Sequence, residues 1–435
     1  MQVPGVWTQA WARGLSRGLD VPVANAPAPV EPAEIETRIS EEAALLASAE
    51  DDLRIEPLVA RGDSVAQGAP LFRFRRHPEV AITAPMAGMV AHLDLDLGHR
   101  LRRIALFHDD GAGRYRHDPG AAAQEPAALR RLLQDSGLWQ AFRSRPFGRF
   151  PLPAEVPAAL CVMVLDTRPG AADPRLAIAG GERAFEIGVR AISQLTEGPV
   201  LICQEAGAEV IARNILPRRV KILTVPRIHP QGLAGVQVHR HFPARPGAPV
   251  WDIGAEDVLA IGELLETGYL RQTRLVSVSG DALREGRLIR TQPWADLRGL
   301  CRGLLRPGPS AILSGSLLEG QEARWLRPGD RQVTARVRRE RKEGAHWFRS
   351  ALSRASRPLP LIPTAAADQA LGGGVAAMPL LRALSSGDAE TAIRLGVLSL
   401  LPEDLALADY VTCAQPALSA LLAGLLERIE QEEVA

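Results

Sequence analysis

Apolar and polar positions alternate most clearly in the first quarter of the chain. In "LVARGDSVAQGAPLFRF" two short alternating runs flank a Gly62-Asp63 turn, and a second turn falls at Gly68. "VAITAPMAGMVAHLDL" then adds a run introduced by "APMAG". Period two predicts half-buried strands, so residues 17–115 read as a small β module. The period lengthens after residue 116. "EPAALRRLLQDSG" has helical spacing, while "PAALCVMVLDTRPG" is a continuous apolar run closed by Asp166 and a Pro-Gly turn, which suits a buried parallel strand. "AFEIGVRAISQLTEG" predicts an amphipathic helix ended by Gly198, "PVLICQE" a second buried strand, "AGAEVIARNIL" a short helix and "VKILTVP" a third strand. "GAEDVLAIGELLETGYL" predicts a further helix, with Glu256 and Asp257 in its first turn, where the helix dipole favours acid. Strand–helix alternation over 116–270 implies a parallel sheet with helices on its faces.

From 271 to 365 the order changes to strand, turn, strand, helix ("TRLVSVSGDALREGRLIRTQPWADLRGLCRGLL"), with another strand in "PSAILSGSLLEG" and a basic segment, "RVRRERKEGAHW", that reads as a solvated strand or loop. Residues 366–435 are helical throughout. The whole is an α/β multidomain chain. Its N-terminal module resembles the barrel-sandwich hammerhead of biotinyl and lipoyl domains. Those domains carry their cofactor on a lysine at a hairpin tip, where this chain reads "RFRRHPEVA" without a lysine, so no amide-linked group can be attached there.

Composition narrows the function classes. Lys+Arg 51 against Asp+Glu 50 gives no global field to recruit nucleic acid or an acidic membrane. Cys161, Cys203, Cys301 and Cys413 are spread through the sequence without the short spacing of a zinc or iron–sulfur site. The start of the chain lacks an apolar core of signal-peptide length, and the most apolar run, "ALSALLAGLL", is about half of what spans a bilayer. The expectation is a soluble, cytoplasmic protein.

Candidate chemistry is sparse. The triple glycine Gly372–Gly374 follows no strand, so it does not read as a phosphate cradle, and no nucleophile elbow or zinc-protease helix occurs. His239 and His241 lie two apart, on one face of any strand, with His229 ten residues before His239. Three imidazoles could make a metal site, but no carboxylate or cysteine lies close in sequence to complete it, so the favoured reading is a structural or ligand-edge role. "SGLWQAFRSRPFGRF" interleaves rings and arginines in a chain that is 4% aromatic. Such a segment either docks its apolar side into a core or holds a flat ligand.

Several of these strings occur together and in order in one family. "RGLDVPVANAP" (17–27), "SGLWQAFRSRPF" (136–147), "LDTRPGAADP" (165–174), "RIHPQGLAG" (227–235), "WDIGAEDVLAIGELLETG" (251–268), "RLIRT" (287–291), "ILSGSLLEG" (312–320) and "LPEDLALADYVTC" (401–413) resemble the NqrA family, one of the components of the sodium-translocating NADH:quinone reductase, from about residue 17 to the C-terminus. The resemblance implies a Rossmann-like domain over 116–270 and a β-grasp, SLBB-like domain over 271–365. It also implies a cytoplasmic protein held on the inner face of the cell membrane through the membrane subunit NqrB and the other components of the complex. It further implies no tightly bound cofactor, with neither FMN nor Fe–S. Where the related flavin-binding component of respiratory complex I has a run of glycines, this chain reads "FRSRPFGRF". Ubiquinone is the substrate of the family's complex, and a quinone head suits an aromatic face with one donor. The resemblance therefore makes Trp139, Phe142, Arg143, Arg145 and Phe147 quinone-binding candidates, with His229, Gly232 and His239 as ligand or interface residues and no metal or catalytic residue. Departures from the family pattern include Gln237 before His239, "GGVAAMP" around Met378 and Pro379, and Ala414, Gln415 and Pro416 after Cys413. They leave open a divergent paralogue that acts as a scaffold in a related membrane complex.

Overall fold

A computed structural model describes residues 17–47, 53–211, 216–338 and 364–434. The chain enters as an extended arm whose first strand, β1 (Glu36–Thr37), pairs in parallel with Ile289 and Arg290, far along the sequence. The barrel-sandwich module follows: β2 (Glu42–Leu46), β3 (Ile55–Pro57), β4 (Ser64–Val65), β5 (Pro70–Phe74), β6 (His77–Thr83), β7 (Gly88–Asp96) and β8 (Arg100–His108). They form two sheets, β2-β8-β7-β4 and β3-β5-β6. The expected alternation holds, with Phe72, Val80, Val90, Ile104 and Leu106 inside. The hairpin tip between β5 and β6 is Arg75-Arg76.

Helix α1 (Pro126–Asp135) leads through the ring-and-arginine segment to β9 (Arg143–Arg145). Next come β10 (Ala159–Met163), α2 (Pro174–Ile178), α3 (Glu182–Ile192), β11 (Val200–Glu205), β12 (Val220–Val225), α4 (Ala234–His241), β13 (Val250–Gly254) and α5 (Ala255–Thr267). The sheet runs β12-β11-β10-β13-β9, parallel except for β9, which lies antiparallel to β13 at the edge. Leu160, Cys161, Val162 and Ile202 are fully buried, as a strand covered on both faces requires. Helices α3 and α5 pack closely because Gly188 and Gly262 let each backbone approach the other; a Cβ at either would collide with a carbonyl of the facing helix. The strands leave β10 in two directions, towards β11 on one side and β13 on the other, so the chain opens a crevice above their carboxyl ends.

A second sheet, β1-β15-β14-β18-β16-β17, is mixed. It contains β14 (Arg274–Ser279), β15 (Arg287–Thr291), β16 (Ser310–Ser314), β17 (Gln321–Glu322) and β18 (Gln332–Val337), with helix α6 (Leu297–Cys301) between β15 and β16. The C-terminal region is helical: α7 (Ala365–Ala370), α8 (Ala377–Ser386), α9 (Ala389–Arg394), α10 (Ala406–Thr412) and α11 (Leu418–Val434). Leu380, Leu381, Leu405 and Leu422 form its core.

Two local expectations change, and a third falls mostly outside the described residues. The amphipathic helix stops at Ser193, not at Gly198, because a 3-10 turn over Ser193–Leu195 tightens its end. The short helix expected over 206–216 is not formed across Ala206–Ile211, which are turn and bend, while residues 212–215 lie outside the described residues. Most of the basic segment, from Arg339 onward, also lies outside them.

Candidate functional site

The ring-and-arginine segment divides into two parts with different surroundings. Trp139 and Phe142 have no exposed surface and pack with Trp251 of β13, ring centroids 5.3–5.9 Å apart. Each indole N–H has a partner, Trp139 to the Pro151 carbonyl at 2.8 Å and Trp251 to Glu155 at 2.6 Å. The Arg130 guanidinium lies 4.9 Å above Trp139. This side of the segment is core. Arg143 and Arg145 face the other way, towards the crevice above β10 and β13, while Arg149 pairs with Glu155 and Glu430.

Strand β9 places Arg145 opposite Val250 and Arg143 opposite Asp252. Arg145 is 1% exposed. Its Nε donates to Asp252 at 2.8 Å, and its Nη1 donates to Asp404 at 2.9 Å and to the Ser399 carbonyl at 2.8 Å. Burial works against its charge, but the two carboxylates outweigh burial and hold the guanidinium firmly protonated. Arg143 pairs with Glu403, leaving its Nε without a partner. Arg168, on the loop after β10, binds Asp166 at 2.5 Å and Glu319 at 3.1 Å. Arg143, Arg145 and Arg168 thus meet five carboxylates, three of them (Glu319, Glu403 and Asp404) from regions outside the parallel sheet. Burial and neighbouring charge push the Glu319 and Asp404 carboxyls up.

Phe147 is half-buried on the C-terminal helices, with the Arg149 guanidinium 5.6 Å over its ring. The histidines sit differently from the strand reading. His239 and His241 lie on helix α4, where residues two apart point to different faces. His239 contacts the Gly396 carbonyl at 3.3 Å, away from His229. His229 and Gly232 do come together, both on the Thr167 hydroxyl: the Gly232 N–H donates to it at 2.8 Å, and His229 Nδ1 lies 3.4 Å away. Burial lowers His229 to about 4, so it is neutral at pH 7. Among the described residues no group of His, Cys, Asp or Glu could hold a metal ion. Cys161 and Cys203, distant in sequence, bring their sulfurs to 3.8 Å inside the parallel sheet.

A cleft of about 420 Å³ runs from these ion pairs beneath the barrel-sandwich module to the mixed sheet. Arg143, Arg145, Gly232 and Asp252 line one end, Leu45, Ile82, Leu138 and Trp294 its wall, and Arg274 and Arg331 the other end. This size and mixture suit a small ligand with an apolar body. The sequence reading missed Asp252, Glu319, Glu403 and Asp404. Asp252 had a signal, an aspartate inside the apolar strand "VWDIG".

Comparison with known proteins fits this architecture. Residues 14–106 match the NqrA N-terminal barrel-sandwich hybrid domain and residues 124–270 the NqrA second alpha/beta domain. The NqrA protein of the Na(+)-translocating NADH-quinone reductase of Photorhabdus laumondii is 32% identical over 96% of this chain and 99% of its own length. The chain belongs to the NqrA family. The NqrA proteins of Pseudomonas aeruginosa and Tolumonas auensis, at 31% and 32% identity, cover the same shares. Among solved structures, that of an NAD+-reducing nickel–iron hydrogenase in the H2-reduced state aligns with 69% of this chain and 64% of its own at 14% identity. Its TM-score of 0.37 is too low to bear on the fold. Membership makes this chain a relative of one component of a sodium-translocating NADH-quinone reductase, and no helix among the described residues is long and apolar enough to cross a membrane.

Proposed function

We propose that this chain is the peripheral, cytoplasmic NqrA component of a sodium-translocating NADH:ubiquinone oxidoreductase. In this reading it docks on the membrane subunit NqrB, carries no redox cofactor of its own and helps to bind the quinone. The observation that carries the reading is end-to-end similarity to NqrA proteins together with a cleft above the diverging strands β10 and β13. Arg143, whose side chain is 39% exposed and lines the cleft, offers a guanidinium N–H to the quinone carbonyl beside the apolar surface of Leu138 and Ala141. Trp139 and Phe142 act from behind, fixing the backbone that presents Arg143, and Phe147 fixes the segment's far end on the C-terminal helices. Arg145 holds the floor of the site, and Gly232 borders the same cleft beside buried His229, while His239 fits an internal interface.

The residues do not suit a flavin phosphate at this end. Each of the three guanidiniums already binds a carboxylate, and two further carboxylates would repel a dianion. The chain's own work is therefore to bind, orient and shield. A tagged chain is expected to co-purify with the membrane components, and ubiquinone to quench tryptophan fluorescence, with Arg143→Ala weakening the apparent Kd by about tenfold. Recovery without any membrane component would sink the docking. Absence of quenching in wild type would leave the scaffold alternative, which the carboxylate-filled Arg145 end favours.

A further inference from the structure

The far end of the cleft has the opposite charge balance. Among the described residues around the start of α5 and β14, Arg271, Arg274, Arg290, Arg327 and Arg331 stand with Glu256, Asp257, Glu263 and Asp330, one carboxylate fewer than cations. The carboxylates are already used. Glu256 accepts from the Leu275 N–H at 2.8 Å and from Arg331 at 3.1 Å, Asp257 takes Arg331 at 2.7 Å, and Glu263 takes Arg271. The nearby Asp330 is occupied by Arg327 at 2.9 Å and Ser314 at 2.5 Å. Arg274 is left over. Among the described residues it has no carboxylate within 4.0 Å, and its only hydrogen-bond partner is the Pro328 carbonyl. It is half-buried, and burial with the adjacent Arg331 charge lowers it to about 10 against the weaker, more distant pull of Asp257, Glu256 and Asp330.

There is room beside it. Pro328 and Gly329 line the cleft with Arg274, and a Cβ on Gly329 would meet nothing within 4 Å. The cleft that Arg274 lines also has an apolar surface, from Leu45, Ile82, Pro293 and Trp294. A guanidinium whose charge is reinforced by a second arginine, at the end of an apolar trough, is complementary to one kind of molecule.

We infer that Arg274 anchors an oxyanion-binding site in this cleft, and that its ligand is an anionic amphiphile with its head on Arg274 and its apolar chain along the wall. This site rests on Arg274, whereas the quinone reading rests on Arg143, so Arg274→Gln and Arg143→Ala test the two separately. Isothermal titration calorimetry with dodecyl phosphate below its micelle concentration tests it, with inorganic phosphate and dodecyltrimethylammonium in parallel. The alkyl phosphate is expected to bind wild type. Arg274→Gln should weaken it about tenfold to a hundredfold and Arg274→Lys less, while Arg287→Gln, an exposed position paired with Glu285, leaves it unchanged. Inorganic phosphate binding as tightly as the alkyl phosphate would overturn the amphiphile and make the site one for a free oxyanion. Equal binding by Arg274→Gln, equal binding of the cationic detergent, or no binding by wild type would overturn the site itself.

Discussion

At one end of the cleft Arg143, Arg145 and Arg168 meet five carboxylates; at the other Arg274 stands without one, beside an Arg331 that already holds two. Both ends lie on the carboxyl side of the parallel sheet or against its helices, so geometry alone does not separate them. The difference lies in which part of the chain supplies the opposite charge. Glu319, Glu403 and Asp404 arrive from the mixed sheet and the helical region and neutralise the first end from within. Among the described residues no carboxylate comes within 4.0 Å of Arg274, and Asp257, Glu256 and Asp330 act on it only from farther away. A buried cation with paired partners is structural, because removing it strands two carboxylates, whereas an unpaired one is available.

The largest effect is expected at Arg145. Arg145→Ala leaves Asp252 and Asp404 buried without their cation and should cost about 3–5 kcal/mol, read from denaturant unfolding. A loss below about 1 kcal/mol would erase the contrast. The next concerns His229, at the paired end. Its folded value of about 4 lies below its ordinary 6.5, so the folded state resists protonation. Its contribution is intact above pH 6.5 and is lost as pH falls from 6.5 to 4, by roughly 3 kcal/mol, and His229→Gln should flatten that limb of the stability profile. Gly235→Ala comes third: the added methyl would lie on the Asp404 carboxylate, which cannot retreat without leaving Arg145, and about 1–3 kcal/mol should be lost in thermal unfolding. The smallest effect is expected at the free end. Arg274→Gln should change stability by less than about 1 kcal/mol, and a gain would strengthen the distinction, since it removes repulsion from Arg331.

The sequence showed the sheets and helices well because burial on both faces, or on one, leaves a period that can be read along the chain: "PVLICQE" could hardly be anything but a covered strand. The arginine-rich segment was readable only as a choice between core and ligand surface, and the structure gives its rings the first role, at Trp139 and Phe142, and sends Arg143 and Arg145 to the cleft. What could not be read were the partners. Arg145 and Asp404 are 259 residues apart, and no local pattern announces that "LPEDL" folds back onto "FRSRP". The histidines misled for a related reason. A spacing of two aligns side chains in a strand and separates them in a helix, and the choice between the two rested on a segment with little periodicity.

The parallel pairing of β1 with β15 joins Glu36 to Ile289. On a ribosome adding about 5–20 residues per second, the arm would wait roughly 10–50 s for the neighbour that completes its sheet. Over that interval an edge with unsatisfied amides stands beside a barrel-sandwich module able to fold at once, since that module's own strands all lie between Glu42 and His108. Biogenesis of this chain therefore has a built-in sequence: an early, locally closed unit, then a late stitch that brings its leading segment onto a sheet made mostly of residues beyond 270.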